Sequence, residues 1–137
     1  MVKNIMNENI KDIEFGWFIP VRGDDRYVGV EPEREPTMEY LIKVAQAAEN
    51  AGFSFALIPT GRACVDSWII GTVVASHTKS LRPLIAMRPG LIAPVIAARM
   101  GASLDVASNG RAMFKEGRER LLFLNGKIAT IVLERIP

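Results

Sequence analysis

Pro59-Thr60-Gly61-Arg62-Ala63-Cys64-Val65-Asp66-Ser67-Trp68 joins two apolar runs of different character, and its reading decides the fold. Upstream, Phe53–Thr60 (FSFALIPT) has the length and composition of a strand. Downstream, Asp66 is placed to cap a helix that begins near Trp68. The stretch is therefore a strand-to-helix loop, and α/β folds place their chemistry in such loops, at the carboxyl ends of parallel strands. A glycine, a guanidinium and a thiol lie close together in it, and Cys64 is the single cysteine of the chain. From the residues alone that thiol can be a nucleophile, a hydrogen-bond donor or a small packed group.

Outward from this loop, strand and helix signals alternate. Phe15–Pro20 (FGWFIP) is a short aromatic-rich run of the kind a buried parallel strand shows. Val21–Pro36, rich in Gly, Asp, Pro and Glu, is a long loop, and loops of about 15 residues in compact domains are usually functional. Thr37 is placed to cap a helix with Leu41, Val44, Ala45 and Ala48 on one face, and Gly52 to end it. Strand, helix and strand up to Thr60 make a βαβ unit with a right-handed crossover. The next helix is expected to turn Trp68, Ile69, Val73 and Ser76 to one side and to finish near His77, which reads as structural. Arg82–Met87 is the third strand, with Pro83 tolerated at its start, and Arg88-Pro89-Gly90 form the loop that follows. Pro94 suits the first turn of a third helix with Ile96, Met100, Leu104 and Ala107 on one face, and Asn109-Gly110 stop it.

Gly110–Phe114 begins a fourth strand. Three βα units plus a fourth strand amount to half of an eight-fold βα barrel, a fold of about 250 residues. The expected fold class is therefore α/β: the N-terminal half of a truncated TIM-like barrel over residues 1–114, with an atypical tail at 115–137. In that tail Leu121–Leu124 and Ile128–Leu133 flank Asn125-Gly126, a hairpin signal.

Composition narrows the function classes. An apolar share of 49% in 137 residues is enough for one core. A net charge of +2 is too small to indicate nucleic acid or an acidic membrane surface as partner. One cysteine excludes an internal disulfide and fits a reducing compartment. Met1–Glu14 is polar, without the apolar core of a signal peptide, and no run reaches the roughly 18 apolar residues of a membrane helix, so a cytoplasmic protein is expected. One His and one Cys do not make a metal site of three or four such ligands, so no metal is expected. Neither GxGxxG nor GxxxxGKS/T is present, against a dinucleotide fold or a P-loop.

Four segments carry a resemblance to a known family. PTGRACVDSW is similar to the PTGRSCEDxW segment of the flavin-dependent alkanesulfonate monooxygenases, members of the bacterial luciferase-like superfamily. WFIPVRGDDRYVG at 17–29, LIAMRPGLIAPVIAARM at 84–100 and LDVASNGRAMF at 104–114 resemble the same family in the same order. Arg22 stands where the family more often has His, and Val65 replaces its usual Glu. After Phe114 the family continues toward a Thr-Gly-Gly-Asp-Pro-like loop, which Lys115-Glu116-Gly117-Arg118 does not follow.

The resemblance implies an enzyme in which FMN, delivered as FMNH2 by a separate flavin reductase, activates oxygen for attack on an alkanesulfonate, releasing sulfite and an aldehyde. It implies that Cys64 is catalytic, a weak hydrogen-bond donor beside the flavin and oxygen. Trp17, Thr60, Arg62 and Arg88 are the implied cofactor-binding residues, and Arg22 the substrate-binding one. A wall of packing for Trp17, and solvation or a salt bridge for the arginines, are the structural alternatives. The family places further site residues in later strands, so a fragment is expected, one that self-associates through its open sheet edge. A non-catalytic remnant or interaction module is the competing expectation.

Overall fold

Each helix starts where its capping chemistry puts it. The computed structural model describes residues 14–24, 31–88, 90–116 and 120–123. Helix α1 (Met38–Asn50) opens on Thr37, whose hydroxyl accepts from the Tyr40 N–H at 3.3 Å, and closes before Gly52, at a left-handed φ of +86°. Helix α2 (Ser67–His77) opens on Asp66, and α3 (Pro94–Ala107) opens with its proline, whose missing donor costs nothing in the first turn. Asn109 and Gly110 both take positive φ and end α3, the Gly110 N–H reaching back to the Asp105 carbonyl at 2.8 Å.

Between the helices run β1 (Gly16–Phe18), β2 (Phe55–Ile58), β3 (Arg82–Met87) and β4 (Met113–Glu116), followed by β5 (Arg120–Phe123). Strands β1 to β4 lie side by side in chain order and are all parallel, with Trp17 opposite Ala56, Leu57 opposite Leu84 and Ile85 opposite Phe114. Three βα units and a fourth strand are what the first half of a βα barrel requires. Strand β5 departs from that pattern. It pairs antiparallel with β4, Phe114 facing Leu122, where a barrel continues through a crossover helix to a parallel strand. The tail thus supplies the expected strand near residues 121–124 and pairs it with β4; Asn125-Gly126 and the expected second arm at 128–133 lie outside the described residues.

The core is the layer between the sheet and its helices, where Ile19, Leu41, Ile58, Ile70 and Ile85 are fully buried. Burying a side chain of this size contributes about 1.5–3 kcal/mol. Helix α1 buries Leu41, Ala45 and Ala48, with Val44 packed beside them, as its periodicity predicts. The faces expected for α2 and α3 are corrected. In α2, Ile69 is 60% exposed and Ser76 is exposed, while Ser67, Ile70, Gly71, Val74 and Ala75 join Trp68 in the interior. In α3, Ile96 is 49% exposed and Ala107 is exposed, while Gly101 and Leu104 are buried. The reason is shape. Gly71 leaves the space that the Ile85 side chain occupies, and a methyl group on Gly101 would stand 3.3 Å from the Phe114 ring. These helices meet the sheet where a glycine allows close approach, with Trp68, Ile70 and Leu104 buried beside it.

Polar clamps close the amino-terminal end of the sheet. Glu49 Oε1 accepts from the backbone N–H groups of Lys79 (2.8 Å), Ser80 (2.6 Å) and Leu81 (2.9 Å) and from the Ser80 hydroxyl (3.0 Å). Burial alone would push the Glu49 carboxyl up, but the donors from Ser80, Leu81 and Lys79 outweigh it and hold the group down to about 2. Arg111 donates to the carbonyls of Ala75, Leu81 and Ser108, each at 2.7 Å, and to the Thr78 hydroxyl at 3.2 Å. One guanidinium thereby ties the ends of α2 and α3 to the start of β3.

Candidate functional site

The carboxyl-terminal ends of β1, β2 and β3 are sewn together by two hydrogen bonds that the sequence does not advertise. After β2, the chain turns through Gly61, whose carbonyl accepts from the Cys64 N–H at 3.1 Å. The Cys64 thiol lies against Gly61, where a methyl group would stand 3.2 Å from Sγ. Next along, the Val65 N–H donates to the Val21 carbonyl at 3.0 Å, which binds this loop to the one that follows β1. Asp66 Oδ1 then accepts from the Trp68 and Ile69 N–H groups, both at 3.0 Å, and starts α2. Ser67, only 2% exposed, donates its hydroxyl to the Ala86 carbonyl at 3.1 Å, which fixes the start of α2 to the end of β3.

The loop after β1 has its own internal bracing. Ile19 extends the β1–β2 pairing through its N–H to the Leu57 carbonyl at 2.9 Å, and both Ile19 and Val21 are fully buried. Gly23 sits at φ +101°, where a side chain would collide with the Arg34 carbonyl and approach Pro32 Cβ to 2.7 Å, so glycine is required there. Asp24 and Arg34 exchange two backbone hydrogen bonds, of 3.2 and 3.1 Å, that close the base of the loop. From α1, the Tyr40 hydroxyl donates to Asp24 Oδ2 at 2.7 Å, and the Arg34 guanidinium lies over the Tyr40 ring at 5.8 Å.

The expected site residues fall into two groups. Thr60, Arg62 and Cys64 share the loop after β2, with Thr60 and Cys64 half-buried and Arg62 exposed. Arg22 and Arg88 are exposed on the loops after β1 and β3. Among the described residues the ion pairs are Arg34–Asp24, Lys43–Glu39 and Arg82–Glu14, so none engages Arg22, Arg62 or Arg88. Trp17 is not brought to this group. Its ring packs at 5.1 Å from Phe53 and walls a groove of about 470 Å³ with Tyr40, Val44 and Ala47 of α1. Phe18, in register with Leu57, lines the same groove.

Three residues of the rim escape sequence reading. Ser67 reads as an ordinary first-turn serine, and nothing local signals its bond to Ala86, 19 positions away. Asp24 and Tyr40 are separated by 16 positions, and only the acidic loop followed by an aromatic first turn hints at them. Among the described residues no cluster of three or more His, Cys, Asp or Glu could hold a metal ion, and no helix is long and apolar enough to cross a membrane. The hydroxyl of Thr60 and the guanidiniums of Arg62 and Arg88 are groups that can donate to the oxygens of a phosphate or another oxyanion.

Residues 13–118 match the family described as luciferase-like monooxygenase. Among solved structures, the fold is similar to EDTA monooxygenase from Chelativorans sp. BNC1, with a TM-score of 0.65 and 12% identity over 82% of this chain and 31% of that one. It is similar to the coenzyme F420-dependent tetrahydromethanopterin reductase from Methanopyrus kandleri, with a TM-score of 0.63 and 22% identity over 79% of this chain and 28% of that one. A riboflavin lyase solved with modified FMN and riboflavin gives a TM-score of 0.62 and 22% identity over 76% of this chain and 29% of that one. The chain spans less than a third of the length of these three solved proteins.

Proposed function

Because the chain belongs to the luciferase-like monooxygenase family, we propose that its sheet end carrying Cys64 is the amino-terminal part of a site for reduced FMN, working on an alkanesulfonate in the cytoplasm. The observation that carries the reading is the stitching of three strand ends by the Val65–Val21 and Ser67–Ala86 bonds. It sets Cys64, Thr60 and three arginines without described ion pairs along one rim.

Bound FMNH2 would supply the two electrons that reduce dioxygen. The balanced reaction takes an alkanesulfonate, FMNH2 and O2 to aldehyde, bisulfite, oxidised FMN and water. Thr60, Arg62 and Arg88 hold the oxyanions of the cofactor, and Arg22 pairs with the sulfonate. Cys64 donates a weak hydrogen bond toward the site where oxygen reacts. A flavin reductase is the partner that delivers FMNH2. The chain spans less than a third of the length of the EDTA monooxygenase, the F420-dependent reductase and the riboflavin lyase, so these 137 residues assayed alone are expected to bind FMN without releasing sulfite.

A second reading, a non-catalytic module that self-associates, is favoured by the sheet edge at β1, where Phe15 just before the strand and Trp17 and Phe18 within it are 68%, 50% and 52% exposed and no partner strand is described. One pair of measurements separates the two. FMN titration of the purified chain should give saturable fluorescence quenching that is weakened about tenfold in Arg62→Ala and in Arg88→Ala. A chimaera joining residues 1–116 to the remaining strands of a luciferase-like monooxygenase should release sulfite from alkanesulfonates. Quenching that ignores both arginines, with no sulfite from the chimaera, leaves the non-catalytic module.

A further inference from the structure

We infer that Tyr40 is a positioning residue for the thiol loop, although it lies on α1 and its described hydrogen bonds go to Arg34, Thr37 and Asp24 rather than to that loop. The linkage runs through named bonds. The Tyr40 hydroxyl holds Asp24 at 2.7 Å; Asp24 is locked to Arg34 by two backbone bonds; and Gly23, one residue back, admits no side chain. The Gly23 N–H in turn donates to the Pro20 carbonyl at 2.9 Å, which fixes the turn containing Val21 and Arg22. Val21 finally accepts from Val65, the neighbour of Cys64, at 3.0 Å. The first helix therefore sets the position of the second loop through the base of the first.

The bond is placed to matter. Asp24 keeps 45% of its side chain exposed, and Arg34 keeps 68%, with 4.0 Å between their charged atoms, so that ion pair is loose and solvent-screened. The phenol is the short contact that orients the carboxylate. Without it, the turn at Val21–Gly23 keeps its backbone bonds but loses its anchor on a rigid helix. The first consequence is more frequent opening of the Val65–Val21 bond.

Cys64 reports that opening, because it is the sole cysteine and is half-buried beside the bond in question. The probe is dithionitrobenzoate: the Cys64 thiolate attacks its disulfide, forms a mixed disulfide and releases one coloured thionitrobenzoate per chain. Tyr40→Phe removes the hydroxyl and keeps the ring under Arg34, and it should raise the rate of thiol modification about threefold to tenfold, the loss of one hydrogen bond. Asp24→Ala should do the same, and the double variant should be no faster than the quicker single one, since both cut one linkage. Glu49→Ala at the far end of the sheet is the control: it should lower the melting point without a comparable rise in rate.

An unchanged rate in both single variants overturns the inference. So does a rate that rises equally in Glu49→Ala, which would mean that the thiol is reached by global unfolding. If Tyr40→Phe does not fold, Asp24→Ala decides alone. The inference rests on the same rim as the proposed flavin site, but its test uses no flavin. Failure of FMN binding leaves it standing, and failure of the thiol test leaves the flavin reading untouched.

Discussion

The two ends of the parallel sheet are held by opposite means. At the amino-terminal end, Glu49 and Arg111 between them satisfy eight hydrogen-bond partners, reaching across α1, α2, β3 and the end of α3. At the carboxyl-terminal end, the backbone is stitched but Arg22, Arg62 and Arg88 are exposed and engage none of the described acids. Fully engaged charges hold a fold together, whereas charges left in solvent contribute little to stability. In βα barrels the amino-terminal face serves stability and the carboxyl-terminal face carries the active site.

Arg111→Ala gives the largest expected effect, because it leaves three carbonyls and one hydroxyl without their donor. The expected loss is about 3 kcal/mol, a fall in melting temperature on the order of 10 °C, checked by thermal unfolding. Arg111→Lys should recover only part, since one ammonium does not reproduce the planar fork. If Arg62→Ala costs as much as Arg111→Ala, the contrast between the two ends fails.

Glu49→Gln comes next. The Glu49 carboxyl, held down to about 2, binds no proton in the folded chain at a pH where the unfolded chain begins to bind one. Its stabilisation is thus complete above the ordinary carboxylate range and is lost as pH falls from about 4.5 toward 2. The amide keeps an acceptor oxygen but no charge, so at neutral pH the expected cost is about 1–2 kcal/mol after allowance for solvent screening. Denaturant unfolding at several pH values should show the wild type and Glu49→Gln converging as pH falls through that window. A gap that stays constant would remove Glu49 from the clamp.

These clamps show where sequence reading stops. The strand and helix positions were legible because their signals are local: Thr37, Asp66, Pro94 and Asn109-Gly110 each act within a few residues of themselves. The face of α1 was legible too, because its other sides are polar. Helix α2 is apolar nearly all round, so periodicity could not choose a side, and the choice fell to Gly71 against Ile85. Nothing local in the sequence singles out Glu49 and Arg111, because most of their partners lie about thirty positions away and only the fold brings them together. The loop with Thr60, Arg62 and Cys64 was legible as a strand-to-helix junction, whereas the Tyr40–Asp24 anchor behind it was not.

At the carboxyl-terminal end the expected stability effects are small. Arg62→Ala and Arg88→Ala, both exposed, should shift the unfolding free energy by no more than about 0.5 kcal/mol. The same variants should weaken FMN quenching about tenfold each, the loss of one charge-assisted contact to an oxyanion. Variants that lower the unfolding free energy as Arg111→Ala does, while the folded chain keeps its FMN affinity, would place these arginines with Arg111, among the structural charges.

Cys64 is the smallest and most discriminating case, because it sits between the two descriptions: its side chain packs on the core cluster, yet its loop is part of the rim. Replacing a half-buried thiol by a methyl removes little volume, so Cys64→Ala should cost at most about 1 kcal/mol. If the thiol donates to oxygen at the flavin, stopped-flow flavin oxidation in the chimaera should change by about two- to tenfold in Cys64→Ala. Cys64→Ser, which still donates, should change it less. A packing role makes the opposite order. Serine puts a more polar group against the apolar neighbours of the thiol and should then be the more damaging of the two, in melting temperature and with oxidation kinetics unmoved. The rank of serine against alanine, read in both measurements, therefore assigns Cys64 to the chemistry of the rim or to the core beneath it.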